Sequence, residues 1–130
     1  MKFLFVCSLA FILVTFNYTT MAEENLPQGR VHHLVVFWLI KPGDAEDRAA
    51  LIDATKSFRK IPGVLSVSAG LTLSGDRAVV DDSFDVAITM TFEDEAALAS
   101  YQNHPLHVKA KEEMLKSLVD KFIVYDFIDQ

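Results

Sequence analysis

The chain reads as an α+β domain of order β-α-β-β-α-β, and three observations set that order. Residues 64–73 and 84–92 alternate large apolar side chains with small or polar ones, the period of a strand. The stretches after Asp44 and after Asp94 instead repeat apolar residues at helical spacing. Residues 32–40 and 122–128 are runs of β-branched, aromatic and other large apolar side chains that open and close the domain as strands.

Each element has its own justification. In the first strand Val35, Val36, Phe37, Trp38, Leu39 and Ile40 are apolar in both parities, which predicts burial on both faces. Lys41-Pro42-Gly43 makes a turn, and Asp44 is placed to cap a helix carrying Ala50, Leu51, Ala54 and Phe58 on one face. Ile61-Pro62-Gly63 ends that helix, because proline has no N–H for the ladder and glycine tolerates a tight turn. The second strand puts Leu65, Val67, Ala69, Leu71 and Leu73 on one side, and the third puts Phe84, Val86, Ile88, Met90 and Phe92 there. Between them, residues 74–83 read as a polar hairpin connection. The second helical region is interrupted at Asn103-His104-Pro105, and proline suits the first turn of the next piece, residues 106–118. This order is the ferredoxin-like split βαββαβ unit.

Ahead of the domain, Lys2, an apolar run from Phe3 to Val14, and Thr20-Met21-Ala22 before Glu23-Glu24 follow the order of a secretory signal peptide. The run is short against the ~20 residues a helix needs to cross a bilayer. The division expected is a signal peptide over 1–22, a flexible leader over 23–30 and one domain over 31–130, secreted or periplasmic, with no stable membrane anchor after cleavage. The net charge is −6 over the whole chain, and one unit more negative once Lys2 leaves with the leader. Such a surface repels a phosphate backbone and argues against nucleic acid as a partner. The single cysteine, Cys7, lies in the leader, so the domain has no disulfide to staple a modest core and gains from oligomerisation.

Two helices cover one face of a four-stranded sheet, and the other face, expected to carry residues such as His33, Val35, Phe37, Ile123 and Tyr125, is too apolar for water. Pairing of two sheets across a two-fold axis hides that face, so the expectation is a homodimer closed into an α+β barrel.

His32-His33-Leu34-Val35-Val36-Phe37, the Pro62-Gly63-Val64 turn, Tyr101 to His107 and the terminal Val124-Tyr125-Asp126-Phe127 together resemble the stress-responsive A/B barrel (Dabb) family. The most specific piece is His-Pro-x-His at 104 to 107, preceded by an aromatic residue. The resemblance implies a dimeric α+β barrel with a role in stress. More distantly, the chain is similar to olivetolic acid cyclase, a plant polyketide cyclase of that family. That likeness implies His107 as catalytic base, Tyr101 as the assisting hydroxyl, and His33 as a further ligand-binding residue with them.

The residue chemistry is compatible with those roles. Imidazole accepts a proton near neutral pH, and a tyrosine hydroxyl stabilises a developing enolate oxygen. Tyr101 and His107 are six residues apart, so they meet only if the helix breaks at Pro105. The plainer alternatives are that Tyr101 fills the core and that His104 and His107 brace a helix start. Three functions follow: an extracytoplasmic barrel binding a small organic ligand in its cavity; an enzyme of cyclase, isomerase or cofactorless monooxygenase type using His107 and Tyr101; or an interaction protein without a ligand. Ser66, Ser68, Thr89 and Thr91 offer the cavity a polar lining. No cofactor or metal is expected, because dinucleotide and nucleophile-elbow glycine motifs are missing and His104 and His107 have only His33 and carboxylates as obvious further ligands where three or four must converge. In a host that exports the protein, mass spectrometry of the soluble product is expected to find a chain beginning near Glu23; an intact Met1 retained in the membrane fraction would overturn the leader assignment.

Overall fold

The computed structural model describes residues 29–130, so the leader and its cleavage site lie outside the described residues. The elements are β1 (Val31–Leu39), α1 (Ala45–Lys56) with a 3₁₀ turn (Ser57–Lys60), β2 (Val64–Leu71), β3 (Val86–Phe92), α2 (Glu95–Asn103), α3 (Pro105–Leu118) and β4 (Val119–Ile128). They form one antiparallel sheet of order β2-β3-β1-β4, with the helices on one face. The βαββαβ order stands. The expected closure into a barrel does not: β2 and β4 are the two edges of an open sheet and do not pair with each other. Within the protomer the hydrogen-bond ladder ends at β2 on one side and at β4 on the other, and its four strands are half the number of about eight that a side-chain-filled barrel takes.

β1 decides what each face carries. Its burial alternates strictly, with Val31, His33, Val35, Phe37 and Leu39 inward under the helices and His32, Leu34, Val36 and Trp38 on the open face. The expectation that His33, Val35 and Phe37 lie on the uncovered face is therefore corrected by one residue of parity. The open face instead combines the even residues of β1 with their partners Ile123, Tyr125 and Phe127 from β4 and with Ala87, Thr89 and Thr91 from β3. Trp38 lies there as well, with the Lys121 ammonium 4.4 Å from its ring centre and its indole N–H donated to Ser83 Oγ at 3.0 Å.

The core fills the space between this sheet and the helices with Leu39, Leu51, Phe58, Val67, Val86, Met90, Phe92 and Tyr101. Only part of the expected β2 face joins it. A bulge between Val64 and Ser66 takes Leu65 as the extra residue and leaves it exposed, so Val64, Val67 and Ala69 face the helices; Leu71, at the end of β2, and Leu73, beyond it, are exposed as well. Gly63 makes the turn into β2 at φ +83°, and a Cβ there would stand 2.7 Å from that of Ala97 on α2. Helix and turn can approach this closely only around a hydrogen atom.

α1 begins where the sequence placed it, with the Asp44 carboxylate accepting from the N–H groups of Glu46 and Asp47. A second carboxylate fixes the helix from below. Asp85, only 3% exposed, accepts from the N–H groups of Leu39 and Gly43 and from Nε and the terminal nitrogen of Arg48. It thereby ties the end of β1, the turn and the first helical turns to the start of β3. Burial pushes its carboxyl upward, but the two backbone donors and Arg48 outweigh that and hold it below the usual carboxylate value.

Because the folded carboxyl is lowered relative to the unfolded value of about 3.9, the unfolded chain takes up the proton first. This contribution is fully present above that value and is lost as the pH falls through the folded one. Asp85→Asn leaves Arg48 and two amides without their charge partner, and urea unfolding at neutral pH is expected to show a loss of about 3 kcal/mol. The same variant should flatten the decline in stability as the pH falls below about 4; an unchanged acid limb would remove Asp85 as its cause.

Candidate functional site

A cavity of about 400 Å³ lies between the sheet and α1, α2 and α3. Val35, Phe37, Leu51, Phe58, Ile88, Met90, Met114 and Leu115 make its apolar body, and His33, Tyr101 and His107 project into it. All three residues singled out in the sequence are therefore brought to one place, within a single protomer and under its own helices. The ligand chamber expected inside a closed barrel is not built. The polar lining expected from Ser66, Ser68, Thr89 and Thr91 is also displaced, since by the β1–β3–β2 register these side chains belong to the open face.

The chain break at His104 creates the convergence. α2 stops at Asn103, His104 takes an extended conformation (φ −67°, ψ 133°), and α3 restarts at Pro105, which needs no hydrogen-bond acceptor for its nitrogen. The His104 ring does the bracing: its Nδ1 accepts from the Leu106 N–H at 3.2 Å, as an N-cap. The change in direction stacks Tyr101 against His107 with ring centres 4.2 Å apart, while Phe58 packs edge-on against both.

Each polar group has a defined role. His107 donates its Nδ1–H to the carbonyl of Gln102 at 3.1 Å, because a carbonyl can only accept. In the neutral ring the lone pair is then on Nε2. Burial, with Lys111 and His33 nearby, lowers the ring below the ordinary imidazole value of 6.5, against the opposing bond to Gln102, so it is neutral at physiological pH. His33 sits across the strand pair from Asp126 and shares a 2.6 Å hydrogen bond with it through Nδ1, leaving Nε2 as its free nitrogen.

Tyr101 is 3% exposed and burial pushes its phenol well above the ordinary value of 10.0, so it remains protonated. Its hydroxyl has no protein partner among the described residues, yet no buried side-chain nitrogen or oxygen there is left unsatisfied. The hydroxyl therefore borders the cavity itself.

Two contributors escaped the sequence reading. Asp126 served only as part of a terminal pattern, although the strand pairing of β1 with β4 sets it opposite His33. Lys111 was not distinguished from other helix-surface lysines, although its position four residues after His107 puts the two on one face of α3. His32 takes no part: on the open face it stacks on Phe127 at 4.7 Å and meets Asp129 at 3.0 Å. Among the described residues no group of three or more His, Cys, Asp or Glu is arranged to hold a metal ion.

The profile of the stress-responsive A/B barrel domain matches residues 31–129. The chain belongs to this Dabb family. A Dabb protein of ferredoxin-like fold from Mesorhizobium loti is 28% identical over 79% of this chain and 99% of its own, with a TM-score of 0.65. The hydroxynitrile lyase of Passiflora edulis is 21% identical over 80% of this chain and 96% of its own, at 0.67. A dimeric ferredoxin-like protein of unknown function from Bacteroides fragilis is 22% identical over 78% and 97%, at 0.59. No curated protein matches the Dabb chain significantly.

Proposed function

We propose that each protomer of this Dabb protein carries an acid–base site in the cleft between its helices and its sheet, acting on a small carbonyl or hydroxyl compound. One observation carries the reading: the Tyr101 hydroxyl, without a hydrogen-bond partner among the described residues, opens into a cavity beside two imidazoles whose Nδ1 positions are both tied down. A side chain that merely fills a core has no reason to turn its hydroxyl toward open space, and a hydroxyl that borders a cavity is free to bond whatever enters it. A ligand oxygen supplies that partner.

The chemistry follows from the free atoms. His107 Nε2 accepts a proton from an acidic C–H or O–H of the bound compound, and the Tyr101 O–H donates a hydrogen bond to the oxygen where negative charge collects. The phenol stays protonated because burial disfavours its anion. His33, whose Nδ1–H is held by Asp126, presents its Nε2 lone pair across the cavity as an acceptor for a substrate hydroxyl, and the proton taken up by His107 returns to the substrate from that same His107 nitrogen. The Passiflora relative bears the name of a hydroxynitrile lyase, and lyase chemistry on this fold is in keeping with such a proton exchange.

The test works across a class of compounds, with no single substrate assumed. Small ketones, aldehydes and hydroxy compounds are incubated with the protein in deuterium oxide, and exchange at carbon next to the carbonyl is followed by proton NMR. Wild type accelerates exchange of at least one class. His107→Ala lowers that rate by about 10²–10⁴, and Tyr101→Phe by about 10²–10³. Exchange untouched by His107→Ala rejects it as the base, and a wholly inert wild type rejects the reaction class.

The molecule works as a pair, with the open sheet face set against a second copy. Supporting this, Tyr125 and Phe127 are 54% and 57% exposed beside Ile123, Leu34 and Val36, an apolar patch unsuited to water, and the Bacteroides fragilis relative is described as dimeric. Light scattering is expected to give a dimer mass for wild type and a monomer mass for the Tyr125→Lys, Phe127→Lys double variant. A wild type that stays monomeric at high concentration removes the pairing.

A further inference from the structure

The geometry points to an amphipathic carboxylate as the occupant of the cleft: an apolar chain or ring in the body of the cavity, with its anionic end at Lys111. The inference rests on the cleft being a ligand site, as proposed above, and adds which ligand chemistry it selects.

The charge pattern carries it. The protein is acidic overall, at −6, yet among the described residues none that lines the cavity is an aspartate or glutamate. Lys111 is the one lysine or arginine among the described residues of that lining. Among the described residues, Lys41, Arg48, Lys56 and Lys109 each have a carboxylate within 4.0 Å, whereas Lys111, like several other surface cations, has none, and of these unpaired cations it is the one that lines the cavity. Its near neighbours do not supply one: Glu112 and Glu113 follow it directly, but successive residues leave a helix about 100° apart, and Glu113 is taken by Lys109.

Position adds a second constraint. Lys111 follows His107 by one turn of α3, a rise of about 6 Å. An anion held there lies a few bonds from an atom between Tyr101 and His107, so the same molecule can place its carboxylate on the lysine and its reacting group at the imidazole. The rest of the described lining is mostly apolar, from Phe58 and Leu51 to Met90 and Met114, with His33, Thr55, Gln102 and Asn103 as its other polar side chains, and the apolar part suits a hydrocarbon body.

The experiment compares two molecules of the same length, decanoate and 1-decanol, by isothermal titration at pH 8 and low salt. Wild type is expected to bind decanoate about five-fold more tightly than the alcohol, the gain typical of one partly exposed ion pair. Lys111→Met erases that difference by weakening decanoate alone, Lys111→Arg restores it, and added salt shrinks it in wild type. Ala54→Phe, which fills the cavity, weakens both molecules and locates them there.

Equal binding of acid and alcohol by wild type, or an acid preference that survives Lys111→Met, overturns the assignment while leaving the acid–base reading untouched. An acid preference lost in Lys111→Met, alongside no deuterium exchange with any carbonyl compound, upholds the anion site and removes the reaction instead. If neither molecule binds, the cleft is not a site for this class and the inference falls.

Discussion

Everything proposed for the cleft depends on a single interruption of the backbone. A helix running on from α2 would carry Tyr101 and His107 to different faces, because six residues at 100° each amount to a rotation of about 240°. The extended conformation at His104 and the restart at Pro105 replace that rotation with a corner. The corner is stabilised locally: His104 caps the new helix through its own ring, and His107 reaches back across the corner to the Gln102 carbonyl. The bond that secures the chain thus also selects which nitrogen of His107 stays free.

The second determinant is the parity of β1. One residue's difference separates His33, held by Asp126 in the cleft, from His32, held by Asp129 on the opposite face. Adjacent histidines with adjacent-looking carboxylate partners accordingly belong to different surfaces, one facing the cavity and the other the open face of the sheet. A slip of one residue in the pairing of β1 with β4 would exchange them.

The order of strands and helices was legible because periodicity, Pro105, Pro62-Gly63 and the Asp44 cap all act within a few residues of chain. The gathering of His33, Tyr101 and His107 was also legible, through the family pattern and the foreseeable helix break. What local sequence could not supply was face and closure. β1 is apolar in both parities, so its composition does not say which set turns inward, and the choice of the wrong set went with the expectation of a closed barrel. The bulge that expels Leu65 depends on the partner strand and leaves no mark in an alternating run. Asp85 and Lys111 look like ordinary surface charges until the fold shows that one is buried among four donors and the other stands alone at a cavity mouth.

The long connection between β2 and β3 is fastened at one end only. Asp85 anchors its exit, while Leu73 and Val79 stand 86% and 89% exposed along its course, and none of its residues lines the cleft. A change in its length or composition ahead of Asp85 therefore leaves the cleft lining in place, and this appendage says little about what the pocket holds.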